Sequence, residues 1–170
     1  MNIIRLSIFT GLVACGFAPT EGAWEGKNFD LSSDGCTAAA LYGVTDESTI
    51  LNFTYASTDT GFSLTGDTED AVPIECTRTE KDFDCPLTAE FDFTDGLGDF
   101  PAFDAVISFT GTLSGTFSDA NTATTTSEIG GVCEGAACVG VVDAVNTENG
   151  TTVEMPCSSS IPFDIEAKSE

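Results

Sequence analysis

Residues 83–93, Phe-Asp-Cys-Pro-Leu-Thr-Ala-Glu-Phe-Asp-Phe, carry an apolar side chain at every odd position and a polar residue or Pro at every even one. Period two sustained over such a run is the signature of a β-strand with one buried face. A second stripe follows at Ala105, Ile107, Phe109, Gly111, Leu113, Gly115 and Phe117, with Ser108, Thr110, Thr112, Ser114 and Thr116 on the other face. Its glycines predict either one bent strand or two shorter ones. Further strands are expected over residues 23–31, 37–44, 49–56, 61–67, 72–79, 138–145, 151–157 and 161–166. Turn chemistry separates them, as in Ser33-Asp34-Gly35, Asp59-Thr60-Gly61 and Asn149-Gly150. No long stretch shows a helical stripe. Short strands with turns about every ten residues predict an all-β domain of roughly eight to ten strands, built as an antiparallel up-and-down barrel or a β-sandwich.

The cysteines add staples to that picture. If Glu80 and Lys81 form a two-residue hairpin turn, Cys76 lies directly across from Cys85 and a cross-strand disulfide is expected. Cys133 and Cys138 are spaced to clip a second loop, which leaves Cys36 to pair with Cys157; four cysteines allow three connectivities, and this is the one taken. The chain has 7 Cys and no His, and it contains no Cys-x-x-Cys, so disulfides fit better than a metal. No resident cofactor is expected.

Seven is an odd number, and the unmatched cysteine has a context of its own. Met1 to Arg5 is a minimal cationic start, and Leu6 to Ala14 is an apolar stretch far shorter than the roughly 20 residues that span a bilayer. It ends in Leu12-Val13-Ala14-Cys15, which resembles the bacterial lipobox. That resemblance implies a lipoprotein signal over residues 1–14 and a Cys15 thiol joined to diacylglycerol, with an acylated, palmitate-type amino terminus. A lipidated tether over 15–23 and a β domain over 24–170 would follow. Gly16 after the cysteine, in place of Asp, implies by resemblance to sorting in diderm bacteria the outer rather than the inner membrane. Residues 16–23 reach at most about 29 Å, which holds the domain close to its membrane. The alternative is an ordinary secretory cut after Ala18, which would leave Pro19 just past the scissile bond.

Charge narrows the partners. The formal net charge is −23, and beyond the signal the cations are Lys27, Arg78, Lys81 and Lys168. Nucleic-acid affinity comes from cations that displace counterions, so nucleic acid is excluded as a partner. Electrostatic adhesion to anionic lipid is disfavoured for the same reason, leaving a covalent lipid as the membrane contact. The apolar content of 41% and the regular stripes speak against disorder.

The absence of His excludes Ser-His-Asp and Cys-His catalysis. A carboxylate pair of the glycosidase kind needs only two acids at a suitable distance, but no Asp or Glu stands in a context that singles it out. Asp92, Asp95 and Asp99, interleaved with Gly96 and Gly98, offer oxygen ligands and tight turns for calcium, although the spacing departs from an EF-hand. Gly22-Ala23-Trp24 resembles the Gly-x-Trp start of lipocalin-type barrels, in which the Trp closes the barrel base under an Arg and the cavity takes small apolar ligands; residues 161–166 supply no such Arg. Asn52-Phe-Thr54 and Asn149-Gly-Thr151 match glycosylation acceptors, which matter only in a eukaryotic host. The expected role is a non-catalytic envelope or surface interaction module anchored outside the cytoplasm. The alternatives are a small apolar-ligand-binding barrel, its pocket lined by residues such as Phe91, Phe93 and Phe109, and a carboxylate-based hydrolase.

Overall fold

A computed structural model describes residues 17–41, 43–68, 71–96 and 101–168 of the chain. Cys15 and Asp99 therefore lie outside the described residues. The strands are β1 (Gly22–Lys27), β2 (Leu51–Ser57), β3 (Gly61–Gly66), β4 (Ile74–Thr79), β5 (Asp82–Asp92), β6 (Val106–Asp119), β7 (Thr122–Glu134) and β8 (Cys157–Ala167). Each pairs antiparallel with the next, and β8 returns to β1, so the sheet closes into an up-and-down barrel rather than a sandwich.

The two stripes pair with each other along the whole length of β5. Phe83, Cys85, Leu87, Ala89 and Phe91 of β5 stand opposite Gly115, Leu113, Gly111, Phe109 and Ile107 of β6, all on the inner face. Burying one face of an antiparallel sheet fixes this register, because a one-residue slip would turn every apolar side chain to water. The β4–β5 hairpin pairs Thr79 with Asp82 and Thr77 with Asp84 around Glu80 and Lys81, the turn expected from the cysteine spacing. Three disulfides are formed: Cys76–Cys85, Cys133–Cys138 and Cys36–Cys157.

The structure departs from the expected strands in several places. No strand is read from residues 122–134, yet β7 runs there; its inward positions include Ala123, Thr125 and Ser127, too small or too polar to make an apolar stripe. Residues 37–44 and 138–145, read as strands, contain the helices α1 (Ala38–Leu41) and α2 (Cys138–Asn149) instead. In α1 the Asp34 carboxylate accepts hydrogen bonds from the amides of Ala38 at 2.6 Å and Ala39 at 3.0 Å, satisfying donors that a helix start leaves free. α2 is rich in valine, which favours strands, but it begins at a disulfide and ends at Gly150 in the left-handed conformation. Beyond it, the Asn146 side chain accepts from Val153 N and donates to Val153 O, fixing the return to β8. Finally, residues 151–154 carry no regular structure, and the strand expected at 161–166 begins earlier, at Cys157.

One end of the barrel is plugged. Trp24, Tyr55, Phe62, Phe83 and Phe117 are each 0–1% exposed there. Their rings meet in series, with centroids 5.6 Å apart for Trp24–Tyr55, 4.7 Å for Tyr55–Phe62, 5.3 Å for Phe62–Phe83 and 5.0 Å for Phe83–Phe117. Gly115 makes room for this cluster, since a Cβ on it would stand 2.5 Å from the Phe83 ring. The chain entering β1 seals the plug. Phe17 packs on Phe117 at 5.6 Å, and the Trp24 indole donates to Thr20 O at 2.7 Å. Thr20 N donates to Ala120 O at 2.7 Å. The stretch expected to act as a tether is thus docked from Phe17 onward.

Candidate functional site: the open seam between β4 and β5

The barrel closes unevenly. β4 and β5 pair at three positions, Thr79–Asp82, Arg78–Phe83 and Thr77–Asp84, whereas β5 pairs with β6 over its whole length. The next position after Thr77–Asp84 is bridged by Cys76–Cys85, with Cα atoms 4.1 Å apart. Beyond it, Glu75 would face Pro86, which has no amide hydrogen to give. The ladder stops at that missing rung.

In an antiparallel strand the N–H and C=O of one residue point to the same side, and successive residues alternate. Lys81 O accepts from Phe117 N of β6 at 2.9 Å, so odd-numbered residues of β5 face β6 and even-numbered ones face β4. Pro86 O and the amide and carbonyl groups of Thr88 and Glu90 therefore point into the seam, and among the described residues no backbone partner meets them. A cavity of about 320 Å³ opens at this place, lined by Ile74, Leu87, Ala89, Phe91, Phe109 and Ile129. Phe91 and Phe109 meet edge to face at 6.2 Å. Phe93 is buried away from the cavity, where its carbonyl accepts from Phe103 N at 2.8 Å. Val72, 81% exposed, stands on the rim beside Glu75.

The signal for this site is in the sequence. A proline inside a strand withholds an amide hydrogen from one neighbour and so marks an edge, a strand start or a bulge, and Pro86 interrupts the polar face of the clearest stripe in the chain.

The other candidate residues do not converge. Asp92 ends β5, and its carboxylate accepts from Thr94 Oγ1 at 2.6 Å and Thr94 N at 2.9 Å. Those two bonds hold its carboxyl below the ordinary carboxylate value. Asp95 lies in the following turn, and among the described residues no three metal-capable side chains gather. Asp30, Asp46 and Asp119 are lowered too, by hydrogen bonds from Ser32, Ser48 and the Asn121 amide respectively. These are solvated turn carboxylates held in the ionised form, whereas a general acid requires a carboxyl pushed the other way. Burial pushes the Tyr55 hydroxyl up, consistent with its place in the plug. A broader groove of about 570 Å³ on the outer wall, bounded by Asp82, Asp84 and Asp164 and by Thr116, Thr124 and Thr126, is polar and open.

An arginine does reach the plugged end. Arg78 projects from β4, its guanidinium 5.7 Å from the Phe17 ring, and its Nη1 donates to Phe17 O at 2.8 Å. Lys81 Nζ lies 5.2 Å from the same ring. Both cations thus cap Phe17, which in turn covers the aromatic plug.

Fold and seam together define an eight-stranded antiparallel barrel with a plugged end and one open side. Neither a protein-family model, nor a curated protein, nor a solved structure matches the chain.

Proposed function

We propose that the protein is a lipid-anchored, extracytoplasmic interaction module without catalytic activity, attached through Cys15 and standing on its plugged end. The observation that carries this reading is the docking of Phe17. One residue, Gly16, lies between Cys15 and Phe17, so an acylated Cys15 is at most about 7 Å from the barrel base. The base then faces the membrane. Arg78 and Lys81 lie at that end, so two of the few cations meet the lipid heads. By the Gly16 rule the membrane is the outer one.

The anchor is tested by intact mass of protein purified from its own membrane, compared with a Cys15→Ala variant. A native mass raised by acyl chains and lost in the variant supports the reading. A native chain that begins at Pro19 without acyl groups overturns it.

A second reading, a small apolar ligand held in the seam, draws on the apolar side chains that line its cavity, Leu87, Phe91 and Phe109 among them.

A further inference from the structure

We infer that the seam between β4 and β5 receives an extended peptide segment of a partner protein, added as a short strand to the free edge of β5 and alternating apolar with basic side chains. This rests on the reading of the protein as an interaction module and names what the module binds.

Three features of the seam choose the occupant. The first is backbone. Thr88 and Glu90 direct amide and carbonyl groups into the opening, and an occupant that cannot hydrogen-bond would strip water from them without compensation. An acyl chain offers nothing to these groups; a strand offers a matching row. The second is the inner wall. A strand laid against β5 sends alternate side chains inward, onto Leu87, Phe91 and Phe109, which favours apolar residues at those positions. The third is charge. Its other side chains point outward, between Glu75 on one flank and Glu90 on the other, both solvent-exposed, which favours Lys or Arg. A second copy of this chain is a poor occupant, because its net charge of −23 meets the same charge.

The edge also limits what it accepts. From Pro86 to Asp92 it extends about 20 Å, enough for a strand of roughly six residues. Pro86 at one end and Glu90 near the other discourage open-ended sheet growth, so the edge admits a single short strand.

The test uses the native protein in detergent and a synthetic heptapeptide alternating Lys and Val, at about 0.15 M salt to screen loose adhesion. Controls are a heptapeptide with the same residues in two blocks, and lauric acid. The alternating peptide is expected to bind at least about tenfold more tightly than the blocked one and to slow exchange of the Thr88 and Glu90 amides about tenfold or more. Thr88→Pro removes a donor that faces the opening and no bond to β6; it is expected to abolish that binding while the melting temperature stays near wild type. Glu90→Lys provides a second variant that changes charge alone, and it is expected to weaken binding. Equal binding of both peptides with no protection at Thr88 or Glu90 would overturn the inference. So would protection by lauric acid and not by the peptide, which would assign the seam to an apolar ligand. Neither result depends on the lipid at Cys15, whose presence the mass measurement decides separately.

Discussion

Pro86 in β5 and Pro162 in β8 stand in matching circumstances. Each lies inside a long strand, and each turns the side that lacks an amide hydrogen toward a neighbour whose ladder has just run out. At Pro162 the chain leaving β1 covers the opening. Asp30 N donates to Pro162 O at 2.9 Å, Ser160 N donates to Ser33 O at 3.0 Å, and Phe29 stacks on Phe163 at 4.8 Å. Gly26 permits that stacking, since a Cβ there would touch both rings. Asp34 and Ser159 form a further bridge, and Cys36–Cys157 locks the cover down. At Pro86 a disulfide marks the last closed rung, and beyond it the edge of β5 has no described backbone partner. The same local event, one missing rung, is thus repaired in one seam and left open in the other. Openness at β5 is not an inevitable result of placing proline in this barrel.

Either seam can be perturbed by substitution. Replacing Cys36 and Cys157 together by Ser releases a closed loop with a sequence separation of 121, worth about 4.9 kcal/mol in the chain-entropy treatment. Denaturant unfolding should show a loss of that order, and residues 28–36 should gain exchange while the Pro86 seam is unaffected. Replacing Cys76 and Cys85 by Ser opens a much shorter loop, with a separation of 9, and should cost about 2.7 kcal/mol. If the disulfide sets where the seam begins, Thr77 and Asp84 amides should then exchange faster. Asp34→Ala removes the acceptor for the first amides of α1 and for the Ser159 hydroxyl at 2.6 Å. A loss of about 1–2 kcal/mol in chemical melting is expected, confined to the covered seam. The smallest effect belongs to Pro86→Thr, which restores a donor opposite Glu75. It should raise stability by less than about 1 kcal/mol and weaken peptide binding, because one more rung narrows the opening.

Much of this architecture is legible in the chain. The stripes at 83–93 and 105–117 become β5 and the inner face of β6, and the cysteine spacing anticipates the β4–β5 register, because period two and a two-residue turn leave one solution. β7 is hidden because Ala123, Ser127 and Gly131 stand opposite Phe117, Leu113 and Phe109 of β6 and supply space there, so that with Thr125 they break the apolar stripe around Ile129. The two helices are hidden for a different reason. Ala38-Ala-Ala-Leu41 and the valines of α2 carry little periodic information, and side-chain caps and a disulfide decide their conformation. Of the candidate site, Phe91 and Phe109 are named by their stripe, whereas Glu75, Thr88 and Glu90 matter through backbone groups and position, which composition does not mark. Pro86 is the local clue. What it does not disclose is whether another part of the chain covers the gap, as residues 28–36 do for Pro162.

Amide hydrogen exchange of the free protein, read residue by residue along β5, tests the open seam most directly. Leu87, Ala89 and Phe91 donate toward β6 and should exchange slowly, while Thr88 and Glu90 donate into the opening and should exchange near the unprotected rate. That alternation is the predicted result. Uniformly slow exchange from Leu87 through Phe91 would mean that the edge is already covered and that the barrel is not open at this seam.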